Sequence, residues 1–123
     1  MIFALLVGAV LSFLGVALGA FGAHAMKEKF AEPRYADTWE TGVRYQMYHG
    51  LALLATGILM NIYGEVAVLT WASYLFLAGV IVFSGSLYLL SVTGIRKLGA
   101  ITPIGGVLLL AGWVCMIVAI IYK

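Results

Sequence analysis

Four stretches of the chain are long enough and apolar enough to cross a bilayer, and none holds an Asp, Glu, Lys or Arg in its interior. They cover residues 2–23, 45–63, 66–91 and 98–122. A hydrocarbon core about 30 Å thick takes about 20 apolar residues per helix. Within it the backbone satisfies its own N–H and C=O groups only as a helix or a closed barrel. Continuous runs of this length predict helices. The expected fold is an all-α integral membrane protein, an antiparallel up-down-up-down bundle of four transmembrane helices. Residues 1–123 form one transmembrane domain, because the longest connection, 24–44, is too short to fold alone.

Composition supports this reading. Of 123 residues, 64% are hydrophobic and 10% charged, against about 45–50% and about 25% in soluble domains. So few charges leave the surface of a small soluble domain uncovered, which excludes an ordinary soluble enzyme, a disordered chain and a disulfide scaffold. The single Cys115 sits inside the fourth run and reads as an apolar packing residue. The net charge of +2 is spread along the chain, so no nucleic-acid partner is expected. The first run has no Lys or Arg before it and outlasts a signal peptide's apolar region, so it reads as a retained span.

Orientation follows from the basic residues. Lys27, Lys29, Arg34 and Arg44 lie in the 24–44 connection, and Arg96 and Lys97 in the third connection. In a four-span chain these connections share one side, and only Lys123 lies on the other. The expectation is a multi-pass protein of the bacterial cell membrane with both termini outside. Membrane lipids are then obligate partners, and the basic side attracts anionic lipid.

Local signals mark the helix ends. Asp37 and Glu40 have the spacing of a capping box, and Glu40 and Arg44 that of an i,i+4 ion pair. Residues 26–31 read as a short interfacial helix carrying Phe30. The fourth helix either starts near Leu98 and kinks at Pro103, or starts with Thr102 as cap and Pro103 in the first turn. The second start is the expected one. Tyr35, Trp39, Tyr45 and Tyr48 form an inner aromatic belt, and Tyr63, Trp71, Trp113 and Tyr122 an outer one.

Small residues predict the packing faces, since close approach drives helix association in lipid. Gly8, Ser12, Gly15, Gly19 and Gly22 recur at the spacing of a left-handed seam. Gly50, Gly57 and Gly64 recur every seven residues in the second run. Ala72, Gly79 and Ser86 do so in the third, and Gly105, Gly112 and Ala119 in the fourth. Ala17 and Ala20 give the first helix a second small face, which fits either a homo-oligomer or crowding within one bundle.

Chemistry-bearing residues are few. Proton-coupled exporters usually need a carboxylate within the membrane, and every carboxylate here lies in a connection. No catalytic residue, metal ligand set or cofactor is expected. The candidate site is a polar pocket at the cytoplasmic interface. Gln46, His49 and Thr56 share one stripe of the second helix, and His24, Trp39, Arg44 and Tyr45 lie near the same end. Two readings stand. The group holds a cofactor, quinone, ion or lipid headgroup, or its members hydrogen-bond between helices.

The segments Gly19-Ala20-Phe21-Gly22-Ala23-His24-Ala25, Trp39-Glu40-Thr41-Gly42-Val43-Arg44-Tyr45-Gln46-Met47-Tyr48-His49-Gly50-Leu51-Ala52, Thr102-Pro103-Ile104-Gly105-Gly106 and Gly112-Trp113 resemble a family of small bacterial membrane proteins. It is known as domain of unknown function 423 and is similar to the eukaryotic transmembrane protein 256. The resemblance spans essentially the whole chain. It implies four spans and no established activity, and it brings no catalytic residue. Its motifs coincide with His24, Trp39, Tyr45, Gln46 and His49.

The functional expectation is a non-enzymatic structural or accessory membrane module that binds lipid or a membrane protein partner. One alternative is a small transporter or channel lined by Gln46, His49 and Thr56. The other is a redox accessory that holds a cofactor or quinone through His24 and His49.

Overall fold

Apolar runs with helical rather than alternating patterning leave the backbone one local solution, and four helices result. In the computed structural model, which describes residues 1–122, they are α1 (Ile2–His24), α2 (Tyr35–Tyr63), α3 (Ala67–Thr93) and α4 (Leu98–Ile121). No strand occurs among the described residues. Lys123, the lone basic residue expected on the outer side, lies outside them. Helices α1, α3 and α4 are each long and apolar enough to cross a membrane. Helix α2 is more polar, because it contains Asp37, Glu40 and Arg44 ahead of its apolar run.

The small-residue seam of α1 meets α2 along its whole length. A Cβ on Gly8 would lie 2.7 Å from the Gly50 carbonyl oxygen, and one on Gly15 would lie 2.5 Å from Met47 Sδ. Gly19 faces Val43, and Gly22 lies directly under the Trp39 indole. As α1 runs forward, its partners run backward along α2. The same reversal recurs between α3 and α4, where Gly79 meets Leu109, Gly105 meets Phe83 and Gly112 meets Phe76. Gly64 is no part of a seam. It ends α2 at φ +91°, a conformation glycine adopts without strain.

Helices adjacent in sequence share the large interfaces, whereas α1 and α4 share no extensive one. Ala17 and Ala20 are exposed, so crowding within one chain does not explain the second small face of α1. The exterior is otherwise large and apolar, with Phe13 at 72% exposure and Leu110 at 66%. The core holds Leu53, Leu69, Phe76 and Leu109, with Met116 and Ala119.

Several ends differ from the expectation. Helix α2 begins at Tyr35, with Arg34 at the cap position and no side-chain cap. The Asp37 amide donates to the Arg34 carbonyl, so Asp37 sits in the first turn. Tyr35 and Trp39 are both buried, and their i,i+4 spacing places them on one stripe, which extends the helix outward. Glu40 pairs with Arg44 at 3.6 Å instead of closing a capping box.

Helix α4 begins at Leu98, and Pro103 lies inside it. The amides of Leu98, Gly99 and Ala100 donate to the carbonyls of Ile95, Arg96 and Lys97, which starts the helix before Thr102. Thr102 Oγ1 is engaged elsewhere, 2.6 Å from Ser86 Oγ on α3.

Residues 26–31 form turns, not an interfacial helix. The segment folds back as a strap. The Ala31 amide donates to the Ser91 carbonyl near the end of α3 at 2.9 Å, and Phe30 packs on Trp39. This contact places the 25–34 connection and the α3–α4 turn at one end of the molecule. The N-terminal ammonium pairs with Glu65 at the other. The inner belt is corrected too, since Tyr35 and Trp39 are core residues.

Candidate functional site

Gln46 sits where α1, α2 and α3 meet, because Gly42 and Gly50, one turn to either side, let the neighbouring helices approach. Its carboxamide is used at both ends. Nε2 donates to the Leu11 carbonyl on α1 at 2.9 Å. Oε1 accepts from the Tyr88 hydroxyl on α3 at 2.6 Å. The Leu11 carbonyl can only accept, which fixes the orientation of the amide. One side chain thus links three helices.

His49 lies one turn further along α2, 4% exposed. Its Nδ1 is 2.7 Å from the Tyr45 carbonyl oxygen. Its Nε2 is 3.0 Å from Trp113 Nε1 on α4. The carbonyl can only accept and the indole can only donate. The imidazole is therefore neutral, with the proton on Nδ1 and the Nε2 lone pair turned to Trp113. Tyr45 stacks near His49 at 6.2 Å between centroids, and Phe76 and Trp113 pack around it. Trp113 belongs to this layer and not to an outer belt.

Trp39 lies further back, near the start of α2. Its indole N–H donates to the Leu18 carbonyl at 2.9 Å, and its ring packs on Tyr88 at 4.7 Å. Ser84 on α3 donates to the Gly42 carbonyl at 2.7 Å. Among the described residues, no buried side-chain nitrogen or oxygen lacks a partner.

The structure thus links Trp39 to Gln46 through Tyr88, and Tyr45 to His49, along one stretch of α2. It does not bring the other three expected residues there. Thr56 lies deeper, donating to the Ala52 carbonyl at 2.8 Å, with Met116 Sδ 3.3 Å away. Arg44 is exposed and paired with Glu40. His24 is exposed at the end of α1, and none of the contacts that hold His49 comes from α1. The described residues hold no cluster of three or more His, Cys, Asp and Glu side chains spaced for a metal ion.

Sequence reasoning missed Tyr88 and the role of Trp113. The usable signal for Tyr88 was a phenol inside an apolar run, since a buried hydroxyl needs a partner. A cleft of about 450 Å³ opens beside the layer, lined by Tyr45, His49, Phe83, Pro103, Val107 and Trp113 among others. It is mostly apolar, and both polar nitrogens of His49 are already bonded.

Comparison with known proteins points to a family of membrane proteins. A family model described as "Protein of unknown function (DUF423)" matches residues 18–106. A UPF0382 membrane protein of Staphylococcus haemolyticus is 47% identical over 116 residues, covering 94% of this chain and 92% of the relative. The UPF0382 membrane protein YwdK of Bacillus subtilis is 45% identical over 115 residues, covering 94% and 93%. No solved structure matches the chain. The chain belongs to the DUF423 family of membrane proteins, whose function is unknown.

Proposed function

We propose that this protein is a non-catalytic structural or accessory module of the cell membrane, built from four antiparallel spans, with lipid bound at its basic end. The observation that carries the reading is the use of the interior polar groups. Gln46, Ser84 and Tyr88 commit their hydrogen bonds to neighbouring helices, and His49 bonds Tyr45 on its own helix and Trp113 on α4. Such groups act as fasteners between helices. A transport path or a redox site would draw on these same groups.

Helix α2 is the fourth span. Its residues 45–63 are apolar apart from the groups just described, and its partners on α1 and α3 shield those groups. The 29 residues of α2 measure about 44 Å at 1.5 Å per residue, so its first turns stand clear of a core about 30 Å thick. The basic residues of both connections at that end support a cytoplasmic location for it, with both termini outside.

The test is cysteine accessibility in intact cells. A Cys115→Ser background carrying Glu65→Cys is treated with a membrane-impermeant maleimide. Labelling from outside is expected. Labelling only after the cytoplasmic face is opened would overturn the orientation. Reconstituted protein should leave ion and solute leak of liposomes at the level of empty vesicles. Flux abolished by His49→Ala would overturn the structural reading in favour of a transporter.

A further inference from the structure

Where α2 begins and α3 turns into α4, two guanidinium groups from different elements line one depression. Arg34, Tyr35, Thr38, Leu90 and Arg96 line an open surface depression of about 380 Å³. We infer that this depression is a binding site for a phosphate group, that of an anionic phospholipid headgroup in the cytoplasmic leaflet. The inference rests on the proposed orientation, which puts this end in the cytoplasm.

The donors suit a phosphate. Arginine presents a planar fork that matches phosphate oxygens in pairs. Two such groups repel unless an anion lies between them. Glu32 answers Arg34, at 3.1 Å. No carboxylate among the described residues lies within ion-pair distance of Arg96, which leaves its charge for a ligand. The Tyr35 hydroxyl accepts from Arg34 at 3.2 Å, so its own proton is available to a phosphate oxygen. The start of α2 adds the positive end of a helix dipole.

The depression is amphipathic in the sense a lipid requires. Leu90 supplies an apolar wall on α3, next to the basic wall from Arg34 and Arg96. The strap that bonds Ala31 to Ser91 fixes the start of α2 against the end of α3. The backbone segments that carry the two arginines are thereby brought to one end of the fold.

Native mass spectrometry of the detergent-purified full chain tests this, with phosphatidylglycerol and phosphatidylcholine offered in equal amounts. Phosphatidylglycerol should be retained preferentially. Each neutralised arginine should weaken retention about fivefold and Arg34→Gln with Arg96→Gln about 25-fold, from roughly 1 kcal/mol per basic residue near an anionic lipid. Lys27→Gln with Lys29→Gln removes the same charge elsewhere and should weaken retention clearly less. Equal loss in the lysine and arginine variants would overturn the site in favour of general charge attraction. Equal retention by wild type and the arginine variant would overturn it outright.

Titration with inorganic phosphate separates the sources. Displacement of phosphatidylglycerol only at phosphate concentrations far above the lipid's identifies a headgroup site. Arginine-dependent binding of inorganic phosphate without lipid preference identifies free phosphate as the ligand and overturns the lipid assignment. Arg96 is exposed and makes no ion pair, so Arg96→Gln alone keeps the fold and serves where the double variant misfolds. Failure of the site leaves the four-span module standing, whereas Glu65→Cys labelled only from inside overturns the orientation itself.

Discussion

The indole N–H of Trp113 points at Nε2 of His49 across 3.0 Å, and this bond closes the hydrogen-bonding capacity of the imidazole. With Nδ1 held by the Tyr45 carbonyl, the ring has no free nitrogen. Trp113→Phe removes the donor and leaves Nε2 buried and unpaired. The expected cost is about 1–3 kcal/mol, read as a lower midpoint of unfolding in detergent. In the unaltered protein, nitrogen NMR should find His49 as the Nδ1–H tautomer near neutral pH. A signal from the Nε2–H form would contradict the assigned bonds.

Gln46 and Tyr88 should be energetically coupled. Tyr88→Phe removes the donor to Oε1, and Gln46→Leu removes both bonds of the carboxamide. Interhelical hydrogen bonds in membranes contribute about 0.6 kcal/mol on average and up to about 1.7. A double-mutant cycle by denaturant titration should return a coupling in that range. Additive effects would mean that the two side chains do not share a bond.

The glycines are not equivalent. Ala at Gly105 would drive its Cβ into the Phe83 backbone, which cannot rotate away, and the α3–α4 interface must open. A loss of about 1–3 kcal/mol is expected, as for overpacked cores. At Gly15 the obstacle is the flexible Met47 side chain, so Gly15→Ala should cost less. Gly85 has nothing within 4 Å, and Gly85→Ala should be neutral or stabilise by up to about 1 kcal/mol through helix propensity. Thermal midpoints of the three variants, measured in one detergent, check this order.

Ala31→Pro deletes the amide that reaches Ser91. The strap should then detach while the helices stay packed. Trypsin should cut after Lys27 and Lys29 faster than in the unaltered protein, with the melting midpoint little changed. Unchanged cleavage would mean that Phe30 on Trp39 holds the strap without this bond.

Much of the fold was legible because its signals are local or periodic. The heptad spacing of Gly8, Ser12, Gly15, Gly19 and Gly22 marks a face, and that face meets α2. Helix starts were harder to read. Thr102 has the chemistry of a cap, but its hydroxyl is engaged by Ser86 on another helix. Tyr35 and Trp39 have the chemistry of an interfacial belt, but both are buried, Trp39 between α1, the strap and α3. Trp113 suits a belt equally well, and only the placement of α4 beside α2 turns it to His49. Gln46 and His49 stood out as polar groups in an apolar run. Their partners Tyr88 and Trp113 lie 42 and 64 residues away, beyond the reach of any local pattern.

The order of the helices in space repeats their order in the chain, with no large interface between first and last. Each helix therefore finds its main partner in the one made just before it. The bundle can be assembled as the ribosome delivers it, one hairpin at a time, each helix packing on the one before it. Gln46 meets Leu11 as soon as α2 enters but lacks Tyr88 until α3 follows, and His49 lacks Trp113 until α4 follows. Insertion of the fourth helix, which brings Trp113 to His49, is thus the step that completes the polar layer and commits the chain to one arrangement.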